Sequence, residues 1–128
     1  MTHTVLIVED EIFVATDIER ILQEAGYSVS AIAADKKSAL AAAAGCDIAL
    51  VDLNLRDGLT GPEIACQLAK EHGIKVIYVT ANPAQINPRA DNAIGFIRKP
   101  FDDKSILNAV NHAAGTCGRD ELTNITLF

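Results

Sequence analysis

Asp47-Ile48-Ala49-Leu50-Val51-Asp52 is a short apolar run closed at each end by an acid. Its length suits one β-strand, and Ile48, Leu50 and Val51 suit a strand covered on both faces, as in a parallel sheet under helices. In such sheets the chemistry gathers at the carboxyl ends of the strands. Asp52 stands at that end, followed by the polar loop Asn54-Leu55-Arg56-Asp57-Gly58. A single aspartate there has an ordinary reading as a turn residue. Its weight depends on what closes the neighbouring strands.

Working towards the amino terminus, Ser28 to Ala33 reads as a strand and Asp35 as the cap of a helix through Ser38 to Ala44, closed by Gly45. Before it, Thr4-Val5-Leu6-Ile7-Val8 is a β-branched run that ends in Glu9-Asp10-Glu11. From Ile12 the spacing becomes helical, with Val14, Ile18, Ile21, Leu22 and Ala25 on one stripe as far as Gly26. On the carboxyl side, Thr60 and Glu63 stand at capping-box spacing with Pro62 between them, and a helix follows to Gly73. Lys75 to Val79 is a fourth strand, closed by Thr80. Pro83 and Pro88 leave room only for a short or distorted helix next. Gly95 to Arg98 is a fifth strand, closed by Lys99-Pro100. The last helix starts near Asp102 or Asp103 and stops at Gly115. The domain is expected over residues 1–117, with a tail over 118–128 that has no place in the alternation.

Strands alternating with helices indicate one doubly wound α/β domain with a five-stranded parallel sheet. Right-handed crossovers then bring all the strand ends to one edge. The 128 residues suffice for one domain with a core. A net charge of -6 speaks against direct binding of nucleic acid. Cys46, Cys66 and Cys117 are scattered, as expected of reduced thiols in a cytoplasmic protein. No apolar run reaches membrane-spanning length and no charged, apolar leader is apparent.

On this topology Glu9, Asp10, Asp52, Thr80 and Lys99 share one edge. Three clustered carboxylates repel one another, and a hard divalent cation such as Mg²⁺ relieves that repulsion. Lys99 adds a point charge suited to a phosphoryl oxygen, and Thr80 adds a hydroxyl donor. Between cation and ammonium an ionised Asp52 is a nucleophile towards phosphorus. Taken singly each residue has a plainer role. Glu9 and Asp10 could favour a helix N-terminus, Thr80 could end a strand, Lys99 could be a solvated charge and Phe96 could be core.

Glu9-Asp10, Asp52, Thr80-Ala81 and Lys99-Pro100-Phe101, each after its strand, resemble the response-regulator receiver domain of bacterial two-component signalling. The resemblance covers Thr4 to about Ala114. It implies a flavodoxin-like fold with strand order 2-1-3-4-5. It implies that Asp52 accepts a phosphoryl group from a histidine kinase or phosphotransfer protein. It also implies that Asp10, Asp52 and the Asn54 carbonyl hold Mg²⁺, with Glu9 acting through water. Lys99 and Thr80 would bind the phosphoryl group, the Lys99–Pro100 bond would be cis, and Thr80 and Phe96 would form the switch. The segment with Pro83 and Pro88, and Arg56 in place of a more usual proline, resemble the receivers of alphaproteobacterial stress-response regulators. Asn54 and Asn82 flank the expected path of water to the phosphoryl group and are expected to tune its lifetime. Output then runs through a protein partner, a homodimer or a further domain, with no membrane contact. The rival readings are a Mg²⁺-dependent aspartyl phosphohydrolase, a flavin-binding module and a receiver-like structural dimerisation unit. Asp52-Leu53-Asn54 lacks the second acid of the first rival. Acids occupy the place where the second needs a phosphate-cradling loop.

Overall fold

The structure, a computed structural model, describes residues 3–115 and 125–128. Strand β1 (Thr4–Val8) leads into helix α1 (Ile12–Glu24), β2 (Ser28–Ala33), α2 (Lys36–Ala41), β3 (Ile48–Val51), α3 (Gly61–His72), β4 (Lys75–Thr80), β5 (Ala93–Arg98), α4 (Asp103–Ala113) and β6 (Thr126–Leu127). The strands form one sheet in the order β2-β1-β3-β4-β5-β6. The first five are parallel, and β6 runs antiparallel to β5.

Alternation along each central strand sends successive side chains to opposite faces. Val5 and Ile7 of β1, Ile48 and Leu50 of β3, and Ile77 and Val79 of β4 meet α1 and α4 through Ile18, Leu22, Ile106 and Val110. Leu6, Val8, Ala49, Val51, Val76 and Tyr78 meet α2 and α3 through Ala39, Ile64, Ala65 and Leu68. Both faces are therefore covered, which is why β3 and β4 read as continuous apolar runs. Among the described residues, no helix is long and apolar enough to cross a membrane.

Several local expectations need correction. Helix α2 ends at Ala41 rather than Ala44, although Ala43 stays buried. Ala15, not Ala25, completes the buried stripe of α1. The capping box at Thr60 does not form: the Thr60 hydroxyl donates to Asp57 Oδ1 at 2.6 Å, and Glu63 pairs with Lys36. A nearer carboxylate on the incoming loop takes the hydroxyl. Between β4 and β5 the expectation of a short or distorted helix holds, as a 3₁₀ turn (Pro83–Gln85). Residues 116–124, with Cys117 and the expected boundary at 117/118, lie outside the described residues. The end of the tail does have a place, as the edge strand β6.

Two glycines are required by close approach. A Cβ on Gly61 would lie 2.2 Å from the carbonyl oxygen of Asp52. One on Gly95 would lie 2.1 Å from the carbonyl oxygen of Thr126. The first lets α3 start against the backbone beside Asp52, and the second admits β6 to the sheet.

Candidate functional site

The sheet brings its functional side chains together by extending its backbone pairing one residue past the strands. The Glu9 amide donates to the Ala33 carbonyl at 2.9 Å, the Asp52 amide to Val8 and the Lys99 amide to Thr80, also at 2.9 Å. Glu9, Asp52 and Lys99 are thus held by the sheet itself rather than by mobile loop. Thr80 is the last residue of β4 and is buried.

The Lys99 ammonium lies between two acids. Its Nζ donates to Glu9 Oε1 at 2.6 Å and to Asp52 Oδ2 at 3.0 Å. The Glu9 and Asp52 side chains are only 2% and 11% exposed, and that of Lys99 is 17% exposed. Burial pushes the Glu9 carboxyl up to about 7, with Asp52 adding to the rise and the Lys99 hydrogen bond opposing it. Burial also works against the Lys99 ammonium, but its bonds to Glu9 and Asp52 outweigh it and hold its pKa above the ordinary lysine value. The other oxygen of Asp52 accepts from the Leu53 amide at 2.7 Å. Glu9 Oε2 accepts from the Glu11 amide at 3.2 Å.

Asp10 is exposed and completes the acid group. Glu9, Asp10 and Asp52 each offer an oxygen, and the three oxygens lie within 4.8 Å of one another. A cluster of carboxylate oxygens open to solvent on one side matches what Mg²⁺ accepts, with water completing its shell. Asp10 and Asp52 open into a cleft of about 390 Å³, whose walls also include Asn54, Thr80, Asn82 and Lys99. A larger hollow of about 800 Å³ adjoins it, shares Lys99, and is lined by Phe13, Val14, Pro100 and Phe101. That hollow is mostly apolar and holds none of the acids of the cluster.

The Thr80 hydroxyl accepts from the Asn82 amide at 3.0 Å. The Lys99–Pro100 bond is cis, as is Asn87–Pro88. Phe96, half-buried on β5, sits one position from the edge, with its ring centroid 6.1 Å from that of Phe128. Phe128 also meets Tyr78 edge-on at 6.1 Å, and the Arg89 guanidinium lies 4.4 Å above its ring. Asn54 is exposed, and its amide donates to Gln85 Oε1 at 2.7 Å. Gln85 was not singled out from the sequence, whereas Phe128, with Ile125 and Leu127, was expected only as an apolar tail end that docks on the domain or a neighbour. Gln85 carries no spacing signal, and Phe128 matters only because β6 pairs with β5.

The sequence pattern of the response regulator receiver domain matches residues 5–111. This chain belongs to the response regulator receiver domain family. The receiver is 29% identical over 118 residues to the phyllosphere-induced regulator PhyR of Methylorubrum extorquens, covering 88% of this chain and 44% of PhyR. It is 30% identical over 123 residues to the sensory transduction protein RegX3 of Mycobacterium tuberculosis, covering 92% of this chain and 53% of RegX3. It therefore spans about half the length of the curated relatives it matches. The solution structure of the PhyR receiver domain of Erythrobacter litoralis shares the fold, with a TM-score of 0.80 at 24% identity over 91% of this chain and 93% of that one. As in that flavodoxin-like fold, the parallel strands run 2-1-3-4-5, here with β6 added at the edge.

Proposed function

We propose that this receiver takes a phosphoryl group on Asp52 from the phosphohistidine of a histidine kinase or phosphotransfer protein. The observation that carries this is the Lys99 ammonium bonded to Asp52 and Glu9 within a cluster of three carboxylates at one sheet edge. An oxygen of Asp52 attacks phosphorus as the P–N bond of the donor breaks, and the imidazole nitrogen keeps the bonding pair. Lys99 then turns from carboxylate to phosphoryl oxygen, and the Thr80 hydroxyl leaves the Asn82 amide to donate to another.

Asp10, Asp52 and the Asn54 carbonyl would hold Mg²⁺ directly, with Glu9 acting through water. When bound, the ion neutralises charge on the transferring group. Phosphorylation favours an active arrangement because Thr80 and Lys99 bond differently in it, with Phe96 following Thr80. Asn54 and Asn82, on the cleft wall, tune the lifetime of the acyl phosphate. The hollow beside Lys99 suits an apolar helix of the donor. Phe13, which lines it from α1, is 88% exposed. Output runs through a protein partner or a homodimer.

A phosphohydrolase would need an acid where Asn54 stands, and that amide is bonded to Gln85. The test is transfer of radiolabel from a phosphorylated histidine kinase in the presence of Mg²⁺. Label is expected on the wild-type chain and none on Asp52→Asn. Equal labelling of both would reject Asp52 as acceptor.

A further inference from the structure

The turn after β4 is bonded to a residue of the cleft wall, Asn54. Gln85 closes this 3₁₀ turn, its amide donating to the Asn82 carbonyl at 3.1 Å. Its side-chain oxygen takes the Asn54 amide at 2.7 Å, joining the loop after β3 to the loop after β4. The same turn is anchored at its start by the Asn82 amide on the Thr80 hydroxyl, at 3.0 Å. One short segment therefore touches both the hydroxyl at the end of β4 and the side chain two residues beyond Asp52.

We propose that Gln85 is a positioning residue that holds Asn54 on the cleft wall and thereby lengthens the life of the phosphoryl group on Asp52. The proposal rests on Asp52 being the acceptor. Hydrolysis requires water oxygen to attack phosphorus from the solvent side while the bond from phosphorus to the Asp52 oxygen breaks. The carboxylate leaves with the bonding pair, and the proton of the water passes to phosphate or solvent. An Asn54 amide engaged by Gln85 is not free to orient that water. If Thr80 leaves Asn82 on phosphorylation, the turn loses one anchor, so the grip of Gln85 on Asn54 is coupled to the state of the switch.

The test loads the full chain with labelled phosphoryl from a small phosphodonor with Mg²⁺, removes the donor and follows loss of label. Gln85→Met keeps the side-chain length without the acceptor. It is expected to shed label about fivefold faster, the rate factor of one ordinary hydrogen bond. In an Asn54→Ala background the same substitution is expected to have no further effect. The side-chain amide resonances of Asn54 in the unphosphorylated protein should shift in Gln85→Met, a readout independent of turnover. Decay at the wild-type rate, or an undiminished effect without Asn54, would overturn the proposal while leaving the acceptor in place. Wild-type protein that takes no label on Asp52 would overturn the acceptor and the proposal together.

Discussion

At the scale of single residues, Lys99 acts as an internal counter-ion. Two carboxylates, one almost fully buried, face it at 2.6 and 3.0 Å. Removing one partner of a buried ion pair leaves the others unmatched, which typically costs several kcal/mol. Lys99→Met should therefore lower stability by about 3 kcal/mol in metal-free urea unfolding. Added Mg²⁺ should restore more of it than it adds to the wild type; equal gains in both would mean that lysine and cation do not share these acids. Gly61 is a second sensitive point. Gly61→Ala sets a methyl group 2.2 Å from the Asp52 carbonyl, so α3 must move away from Asp52. A cost of about 1–3 kcal/mol is expected in the same measurement, with slower phosphorylation. Glu9, Asp10, Asp52, Thr80 and Lys99 were legible because strand-ending acids, a hydroxyl and a lysine stand out against apolar runs. The role of Gly61 was not legible, because its contact with Asp52 depends on the path of the loop.

At the scale of elements, the strands and long helices follow their hydrophobic periods, and the departures occur where short-range competition decides. Asp57 takes the Thr60 hydroxyl that the capping pattern assigns to α3. Between β4 and β5, by contrast, the 3₁₀ turn is the short helix that Pro83 and Pro88 led one to expect. Strand β6 was not legible because its pairing covers only two residues, Thr126 opposite Phe96 and Leu127 opposite Gly95. So short a strand has no period to read. What holds it is long-range: the Gly95 notch, the Phe128 amide on the Ile94 carbonyl at 3.0 Å, and the Phe128 ring among Phe96, Tyr78 and Arg89. Gly95→Val should eject β6 while leaving the parallel sheet intact. Hydrogen exchange would show this as lost protection at the Phe128 amide with unchanged protection in β3 and β4. Retained protection at Phe128 would mean that β6 is not seated through Gly95.

At the scale of the molecule, the order β2-β1-β3-β4-β5 brings residues from positions 9 to 99 to one edge. Alternation and handedness made that convergence legible without any coordinates, whereas the reach of Gln85 over Asn54 depends on loop conformation and was not. A chain of net charge -6 that gathers three acids should be stabilised by a cation binding only the folded state. Mg²⁺ at a hundred times its dissociation constant should add about 2.7 kcal/mol and raise the melting temperature by several degrees. Asp10→Ala should lose most of that rise, and an undiminished rise would place the ion elsewhere. The central claim, that this edge is a phosphoryl acceptor with Asp52 at its centre, is tested most directly by intact mass. The protein is incubated with acetyl phosphate and Mg²⁺. Wild type should gain the mass of one phosphoryl group and Asp52→Asn none. An equal gain in the variant, or a modification mapped to another residue of the wild type, would contradict the account.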